Sequence, residues 1–372
     1  MRVAVMMLRA SRMEKGRPEL VDSLIKMGHE VIAFDPENDL RSEEQKINSR
    51  IEYIQVDVAR YNLNPIKELK SILSLISAYK SSRVDAIIIF GIRFVPGATI
   101  AARLAGLKSI ISVINGAGNL FMKEDARGRV ARAMSFPMLK IGFKISKKVF
   151  VQNPDDLRLL LMLKLVNKEK ATLINGSGVS LQRYPYTYLT DKMIFLMLAR
   201  LAKEKGIFEF IKSARIVKKK YSMASFRIVG TLDSKLSIKE QETYQHAINE
   251  GIIEHLPYTD HPIIYYQECR VFVLPSYYRE GVPRTNLEAM ATGRPIITTD
   301  SPGCRETVEN GVNGFLIPPR DADALAEKMI WMIEHPSETE RMGKESRRIA
   351  EEKFDVNEVN KIILSAFDDK RG

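Results

Sequence analysis

Short apolar runs rich in valine and isoleucine alternate with longer amphipathic stretches along the whole chain. Because strands that are covered on both faces read as continuous apolar runs, this alternation predicts parallel strands joined by crossover helices. We therefore expect an α/β fold of two tandem Rossmann-like domains, each a doubly wound parallel sheet, facing a central cleft. The predicted strands are 3–8, 31–34, 51–56, 86–90, 109–114, 149–152 and 172–174, followed by 194–198, 226–229, 252–256, 271–274, 295–299 and 314–317.

The length supports two domains, since 372 residues exceed the ~100 to 200 residues that one domain usually holds. A turn-rich segment over 175–185 continues neither strand pattern and marks the predicted boundary. We expect a first domain over 1–185 and a second over 186–355. A C-terminal helix over 356–372 is predicted to pack back on the first domain.

Composition excludes several classes of protein. With 45% hydrophobic and 28% charged residues, the chain has enough apolar surface to fold. No apolar run approaches the roughly 18 residues that indicate a transmembrane helix. The first run, 3–8, is too short for the apolar part of a signal peptide, so we expect a cytoplasmic protein.

Neither thiols nor histidines form a recognisable metal site. The two cysteines, Cys269 and Cys304, make no CxxC pair, and the five histidines show no ligand spacing. Asp321 and Asp323 do form an Asp-x-Asp pair. Because an alanine-rich helix is predicted to follow them, we interpret this pair as a helix cap.

The positive charge is confined to one half of the chain. Residues 1–185 carry 30 Lys and Arg against 18 Asp and Glu, a net +12, whereas the remainder carries 27 against 28, a net −1. This asymmetry predicts an anionic partner for the first domain, either a membrane surface or nucleic acid.

The segment 127–148 has seven basic residues and no acid, interleaved with apolar groups. It is typical of a helix that lies on anionic lipid, and the alternative is a surface helix with a solvated basic face.

The densest polar cluster follows the predicted strand 271–274. Glu280 and Gly281 lie in a loop, and Pro283 stands where a helix could begin. Backbone N–H groups at such a helix start can bind an anion, and a loop carboxylate can accept hydrogen bonds from hydroxyls. The plainer interpretation is that Glu280 is a cap and that Glu288 is a surface glutamate. Arg200 and Lys205 follow the predicted strand 194–198, where their charges could bind a diphosphate.

In these elements the chain resembles the retaining family-four (group 1) glycosyltransferases of GT-B architecture. That family carries two glutamates separated by seven residues, then a small-residue helix and a Gly-x-Pro turn, matched here by Glu280, Glu288 and 289–295. It also carries an Arg-Leu-x-x-x-Lys-Gly element, matched by 200–206. The resemblance covers most of 190–350.

The resemblance implies a role for each matching residue. Arg200 and Lys205 would bind the diphosphate of a nucleotide sugar, expected to be a UDP-sugar, and Glu280 would hold hydroxyls of the donor sugar. These three are the predicted catalytic residues, and Glu288 would bind the ribose hydroxyls. Gly281, Val282 and Pro283 would line the donor loop, and Gly230 either lets backbone approach the nucleotide or serves a structural turn. The resemblance further implies retention of configuration, with the departing phosphate acting as the base. Because cations and helix N-termini can stabilise the departing diphosphate, we expect neither a metal nor a cofactor.

The first domain matches the family less closely. The turn over 9–16 has a single late glycine, and Asn115 stands where the family often has a histidine; Asn115 could hydrogen-bond a sugar hydroxyl. The segments 62–65 and 116–118 are similar to transferases that extend polyprenyl-diphosphate-linked sugars. We therefore expect a lipid-linked glycan acceptor, no nucleic acid, and a peripheral location at the inner face of the cell membrane.

Two other functions stay open at this point. A UDP-sugar 2-epimerase shares the two-domain architecture, so the fold alone does not exclude it. A basic nucleic-acid-binding protein would explain the positive charge, although the sequence has no helix-turn-helix, zinc-finger or RNA-binding signature.

Overall fold

The computed structural model describes residues 1–8, 10, 13–36, 50–58, 65–122 and 125–368. Two compact units are present: the first comprises Met1–Gly176 together with Asn357–Gly372, and the second comprises Ser177–Val356. None of the helices in the described part of the chain is both long and apolar enough to cross a bilayer.

The first unit contains a parallel sheet of seven strands in the order β3-β2-β1-β4-β5-β6-β7. Its strands are β1 (Arg2–Met6), β2 (Glu30–Asp35), β3 (Glu52–Gln55), β4 (Ala86–Phe90), β5 (Ser109–Ile114), β6 (Lys148–Val151) and β7 (Ala171–Leu173). The helices are α1 (Met13–Gly16), α2 (Pro18–Lys26), α3 (Pro65–Ser81), α4 (Val95–Leu104), α5 (Asn119–Met122), α6 (Ala126–Ile145), α7 (Pro154–Met162) and, from the end of the chain, α14 (Val356–Asp368). All seven strands overlap the predicted ones.

Both faces of this sheet are covered by helices. Alternate strand residues point to opposite faces, so Ala4 and Met6 join one apolar cluster and Val3 and Val5 the other. Helices α3, α4 and α6 cover the first face, and α2 and α14 cover the second. Burial on both faces explains why the strands read as continuous apolar runs in the sequence.

The second unit repeats the scheme with six parallel strands in the order β10-β9-β8-β11-β12-β13. Its strands are β8 (Ile194–Leu198), β9 (Ser225–Val229), β10 (Glu254–Leu256), β11 (Val271–Leu274), β12 (Ile296–Thr299) and β13 (Gly314–Ile317). The helices are α8 (Ile207–Lys220), α9 (Ile238–Asn249), α10 (Ile263–Glu268), α11 (Arg284–Ala291), α12 (Ala322–Glu334) and α13 (Pro336–Lys353). The predicted fold class, two doubly wound parallel sheets in tandem, is confirmed.

Three local details bear on the sequence analysis. Asp321 caps α12, because its Oδ1 accepts the backbone N–H groups of Asp323 and Ala324 at 3.1 and 2.9 Å. The second unit begins at Ser177 rather than at 186, since Val179 and Tyr184 are buried in its core. Helix α14 contributes Val359, Ile363 and Leu364 to the core of the first unit.

A fully buried arginine fastens the start of the second unit to its core. Arg294, between α11 and β12, donates hydrogen bonds to the carbonyl oxygens of Cys269 at 2.8 Å, Thr292 at 2.9 Å and Tyr188 at 3.2 Å. It also donates to the hydroxyl of Thr187 at 2.8 Å. Because these acceptors come from separate segments, one side chain joins the 187–188 segment to α10 and α11.

We predict that Arg294→Met lowers the free energy of unfolding of the second unit by about 3 kcal/mol, since buried carbonyls lose charged hydrogen-bond donors. Urea unfolding followed by the fluorescence of Trp331, the single tryptophan, measures this value. The exposed Arg341→Met in α13 serves as the control and is expected to change the stability little. An unchanged midpoint for Arg294→Met would show that Arg294 does not hold the segment.

Candidate functional site

The predicted donor-site residues of the second unit follow strands that end at one edge of its sheet. Parallel strands place their carboxyl ends together, so the segments after β8, β9, β11 and β12 meet there. Strand β8 pairs with β9 on one side and β11 on the other, so the chain changes direction across the sheet at β8. Ligands of doubly wound sheets bind at such a point.

An ion pair between Lys205 and Glu280 lies at this edge. Lys205 ends a 3-10 turn after β8, Glu280 lies in the loop after β11, and their side chains are only 18% and 13% exposed. The Ser276 hydroxyl donates a hydrogen bond to the same Glu280 oxygen at 3.0 Å. A cation and a carboxylate, both shielded from water, thus lie side by side where an anion and a hydroxyl could be bound together.

The loop that carries Glu280 is held by close backbone contacts. The N–H groups of Tyr277 and Tyr278 donate to the carbonyl of Glu204 at 2.9 and 3.1 Å. Gly303, with φ of 81°, lies so close that a Cβ there would stand 2.0 Å from the carbonyl oxygen of Gly281. Any larger residue at 303 would therefore displace the loop that carries Glu280.

Gly281, Val282 and Pro283 are buried between Glu280 and α11. The side chain of Val282 belongs to the apolar core of the unit. Pro283 occupies the N-cap position of α11, in extended conformation, so the helix begins at Arg284. Glu288 consequently lies about one turn into the helix.

Glu288 is buried, which makes the surface-glutamate interpretation wrong. Its side chain is 10% exposed, and its Oε2 accepts a hydrogen bond from the hydroxyl of Tyr266 at 3.0 Å. Arg284 approaches the other oxygen at 3.5 Å. The carboxylate is therefore oriented from two sides.

Arg200 and Gly230 lie at the same edge with different surroundings. Arg200 is paired with Asp233, and its side chain is 56% exposed, so its guanidinium faces water. Gly230 follows β9 with φ of 147°, and a Cβ there would stand 1.9 Å from the carbonyl oxygen of Ala199. This contact supports the structural interpretation of Gly230, because glycine is needed for strands β8 and β9 to end side by side.

Asn115 belongs to the first unit, at the carboxyl end of β5. It is exposed, and its Oδ1 accepts a hydrogen bond from Gln152 Nε2 at 3.0 Å. The buried carboxylate of Asp156 holds the following loop by accepting the backbone N–H of Ala117 at 2.8 Å. Residues 62–64, and Arg9, Ser11 and Arg12 of the first turn, lie outside the described residues.

Several residues of the site were missed in the sequence analysis. Ser276 directly follows the predicted strand 271–274, and that position was a usable signal. Asp233, Tyr266 and Gln152 have no local signal, since each meets its partner only through the fold. Among the described residues, no group of three or more His, Cys, Asp or Glu side chains could hold a metal ion.

Residues 185–349, which include the whole of this edge, match the family described as glycosyl transferases, group 1. The second unit therefore carries a group 1 glycosyltransferase segment. The resemblance inferred from Glu280, Glu288 and 200–206 is thereby confirmed, and the match favours sugar transfer over the 2-epimerase alternative. The roles of individual residues stay predictions.

Whole-chain comparisons agree with this family. The chain is 25% identical over 366 residues to the N,N'-diacetylbacillosaminyl-diphospho-undecaprenol alpha-1,3-N-acetylgalactosaminyltransferase of Campylobacter jejuni, which covers 95% of this chain and 94% of that protein. It is 26% identical over 285 residues to the UDP-Gal:alpha-D-GlcNAc-diphosphoundecaprenol alpha-1,3-galactosyltransferase of Escherichia coli, with 72% of this chain and 71% of that protein covered. The crystal structure of Anabaena Alr3699/HepE in complex with UDP has the same fold, with a TM-score of 0.77 at 16% identity over 99% of this chain and 100% of that one.

Both thiols of the chain are buried in the second unit. Burial raises the pKa of Cys304 to about 12 and the pKa of Cys269 also to about 12. Cys304 lies against the candidate site, with its Sγ 3.9 Å from the carbonyl oxygen of Ser276. Because thiolates and not thiols are nucleophilic, neither cysteine is suited to catalysis.

We predict that iodoacetamide at pH 8 labels neither cysteine of the folded protein, since both stay protonated and inaccessible, and that it labels both after unfolding in guanidinium. Mass spectrometry of the intact protein counts the labels. Labelling of Cys304 alone in the folded protein would contradict the tight packing of the Ser276 loop.

Proposed function

We propose that this protein acts as a group 1 glycosyltransferase and transfers a hexose or an N-acetylhexosamine from a UDP-sugar to a polyprenyl-diphosphate-linked sugar, with retention of configuration, in the assembly of a surface polysaccharide or related glycan. The Campylobacter and Escherichia relatives support it, since both names specify a diphospho-undecaprenol-linked sugar and the second specifies UDP-Gal. The Anabaena structure contains UDP. The observation that carries the proposal is the shielded Lys205–Glu280 pair at the carboxyl edge of the second sheet.

The cations of this edge are suited to stabilise a departing diphosphate. When the bond between the anomeric carbon and the phosphate oxygen breaks, negative charge develops on the phosphate. Lys205, shielded from water, interacts with that charge more strongly than an exposed lysine would. Arg200, at the end of β8, adds a second positive charge. The proposed reaction therefore needs no metal ion.

The carboxylates serve as hydrogen-bond acceptors in this proposal. Glu280 is already bonded to Lys205 and Ser276, and Glu288 to Tyr266, which holds both carboxylates in orientation and occupies lone pairs that a nucleophile would need. Glu280 then accepts hydrogen bonds from donor-sugar hydroxyls, and Glu288 from ribose hydroxyls. The acceptor hydroxyl bonds to the anomeric carbon on the face that the phosphate leaves, and its proton passes to the departing phosphate oxygen, which retains the configuration.

We predict that Lys205→Ala and Glu280→Ala each lower kcat by at least about a hundredfold, the usual effect of removing a group that stabilises charge in a transition state. Turnover is measured with UDP-hexoses and UDP-N-acetylhexosamines on a polyprenyl-diphosphate-linked sugar, with and without EDTA. Activity of the wild type is expected to survive EDTA.

The control is Lys212→Ala, an exposed lysine of α8 paired with Asp323, which should retain wild-type turnover. Normal turnover in a site variant removes that residue from the proposed chemistry. Transfer abolished by EDTA contradicts the metal-free reaction, and transfer from no UDP-sugar contradicts the choice of donor.

The first unit carries a surface suited to a membrane that holds the lipid acceptor. On α6, Val130, Met134 and Ile141 form an exposed apolar stripe with a spacing close to whole helical turns. The exposed residues Arg129, Lys140 and Lys144 lie beside the stripe. An apolar stripe edged by cations is typical of a helix that lies on anionic lipid. We place the enzyme at the inner face of the cell membrane, as a peripheral protein.

The exposed part of the basic segment 127–148 is shorter than the sequence predicts. Helix α6 ends at Ile145, and Lys148 already begins β6. Arg132 is half-buried and donates a hydrogen bond to the carbonyl oxygen of Leu120 at 3.3 Å, so it belongs to the support of α5. Helix α3, which packs in the same layer, adds the exposed aliphatic residues Ile66, Leu69 and Leu73.

We predict that the triple variant Arg129→Glu, Lys140→Glu and Lys144→Glu weakens binding to phosphatidylglycerol vesicles by roughly a hundredfold, at about 1 kcal/mol per basic residue. Vesicle co-sedimentation measures the binding, and affinity for UDP should not change. Reversal of Lys212, Lys219 and Lys239 in the second unit, all exposed, is the control. Unchanged vesicle binding contradicts the membrane surface, and tight binding to random duplex DNA instead of vesicles would favour nucleic acid.

A further inference from the structure

Glu288 is a carboxylate in a setting that is costly for a charge. With 10% of its side chain exposed, it has lost most of its hydration. Burying an ionised carboxylate costs several kcal/mol unless hydrogen-bond donors replace the water. The residues that supply these donors therefore determine the orientation of the Glu288 carboxylate.

The shortest of these hydrogen bonds comes from within the core. Tyr266, in α10, is fully buried, and its hydroxyl donates to Glu288 Oε2 at 3.0 Å. Its ring packs against Phe272, with centroids 5.5 Å apart, and against Tyr184, at 6.1 Å. The hydroxyl thus approaches Glu288 from a position that the surrounding core fixes.

The position of Tyr266 is fixed along the backbone as well. Arg294 donates to the carbonyl oxygen of Cys269, the residue that ends α10, at 2.8 Å. Burial, and after it the charge of Glu288, raises the pKa of Tyr266 well above its usual range. The phenol consequently keeps its proton and acts as a donor at any physiological pH.

Arg284 completes the arrangement from the solvent side. Its Nη2 lies 3.5 Å from Glu288 Oε1, so each carboxylate oxygen faces a different donor. A carboxylate offers about four acceptor positions. The hydroxyls of Tyr266 and Tyr184 approach Glu288 from the core, whereas Arg284 is 40% exposed and lies on the solvent side. The acceptor positions on the solvent side fit a pair of neighbouring hydroxyls.

We propose that Tyr266 is a positioning residue that orients Glu288 so that its remaining acceptor positions take the two vicinal hydroxyls of the nucleotide's ribose. The site thereby prefers ribonucleotides to deoxyribonucleotides. This inference rests on the proposed function, in which Glu288 binds the ribose of a UDP-sugar. The physical basis is that a ligand without the 2'-hydroxyl leaves a buried charged acceptor short of a donor.

The test compares the affinities of UDP and 2'-deoxy-UDP by calorimetry. The wild type should prefer UDP by at least about tenfold. In Tyr266→Phe, which keeps the ring and its packing, the preference should fall to about threefold or less, because Glu288 is no longer fixed. Glu288→Gln, which removes the charge, should abolish most of the preference.

The control is Tyr79→Phe in the first unit. Tyr79 is also buried, and its hydroxyl donates to the sulfur of Met6 at 3.8 Å. This variant loses a buried phenol without touching a carboxylate, so it should keep the wild-type preference.

The ratio of the two affinities separates positioning from a general loss of packing. If Tyr266→Phe weakens both nucleotides equally and leaves the ratio unchanged, Tyr266 is merely structural and the inference is wrong. If Glu288→Gln loses the preference while Tyr266→Phe retains it, the ribose role of Glu288 stands and only the positioning role fails. A wild type that binds UDP but prefers neither nucleotide overturns both roles, and one that binds neither nucleotide overturns the proposed function itself.

Discussion

Parallel pairing of the strands is the constraint on which the candidate site depends. In the second unit every paired strand runs in the same direction, so each crossover helix returns the chain to the same starting edge and the loops gather at the opposite one. Lys205 follows β8 and Glu280 follows β11, and these strands are neighbours although 75 residues separate the two side chains. The ion pair is therefore a direct result of the strand order 3-2-1-4-5-6 of the six strands β8–β13.

The charges at this edge are arranged in pairs. Lys205 faces Glu280, Arg200 faces Asp233, and Glu288 is held by an arginine and a buried phenol. Isolated charges shielded from water, such as Lys205, Glu280 and Glu288, would be costly, and pairing offsets part of that cost and fixes their orientation. A polar ligand can then exchange hydrogen bonds with a prearranged set of groups, which avoids much of the reorganisation that water requires.

Much of the fold could be predicted from the sequence, because doubly covered strands leave a local signature. Each of the 13 strands in the described sheets overlaps a predicted apolar run, and Asp321 could be interpreted as a cap from its neighbours alone. The edge residues Glu280, Lys205 and Arg200 were found because their motifs resemble those of the group 1 glycosyltransferases. The features that the sequence analysis missed depend on contacts between distant parts of the chain. The burial of Glu288 requires Tyr266, the second unit starts early because Val179 pairs with the backbone of Phe354 and Val356, and the support of Asn115 requires Gln152.

The path of the chain through the two units has a consequence for synthesis. The first unit is discontinuous: Met1–Gly176 form its sheet, and Asn357–Gly372 return to it only after the whole of the second unit. During translation, the face of the first sheet that α14 covers stays incomplete until α14 itself has been synthesised, whereas the second unit has all of its residues beforehand. The unit with the matched family segment can thus finish folding first, and the first unit depends on α14, synthesised after it, to bury an apolar face.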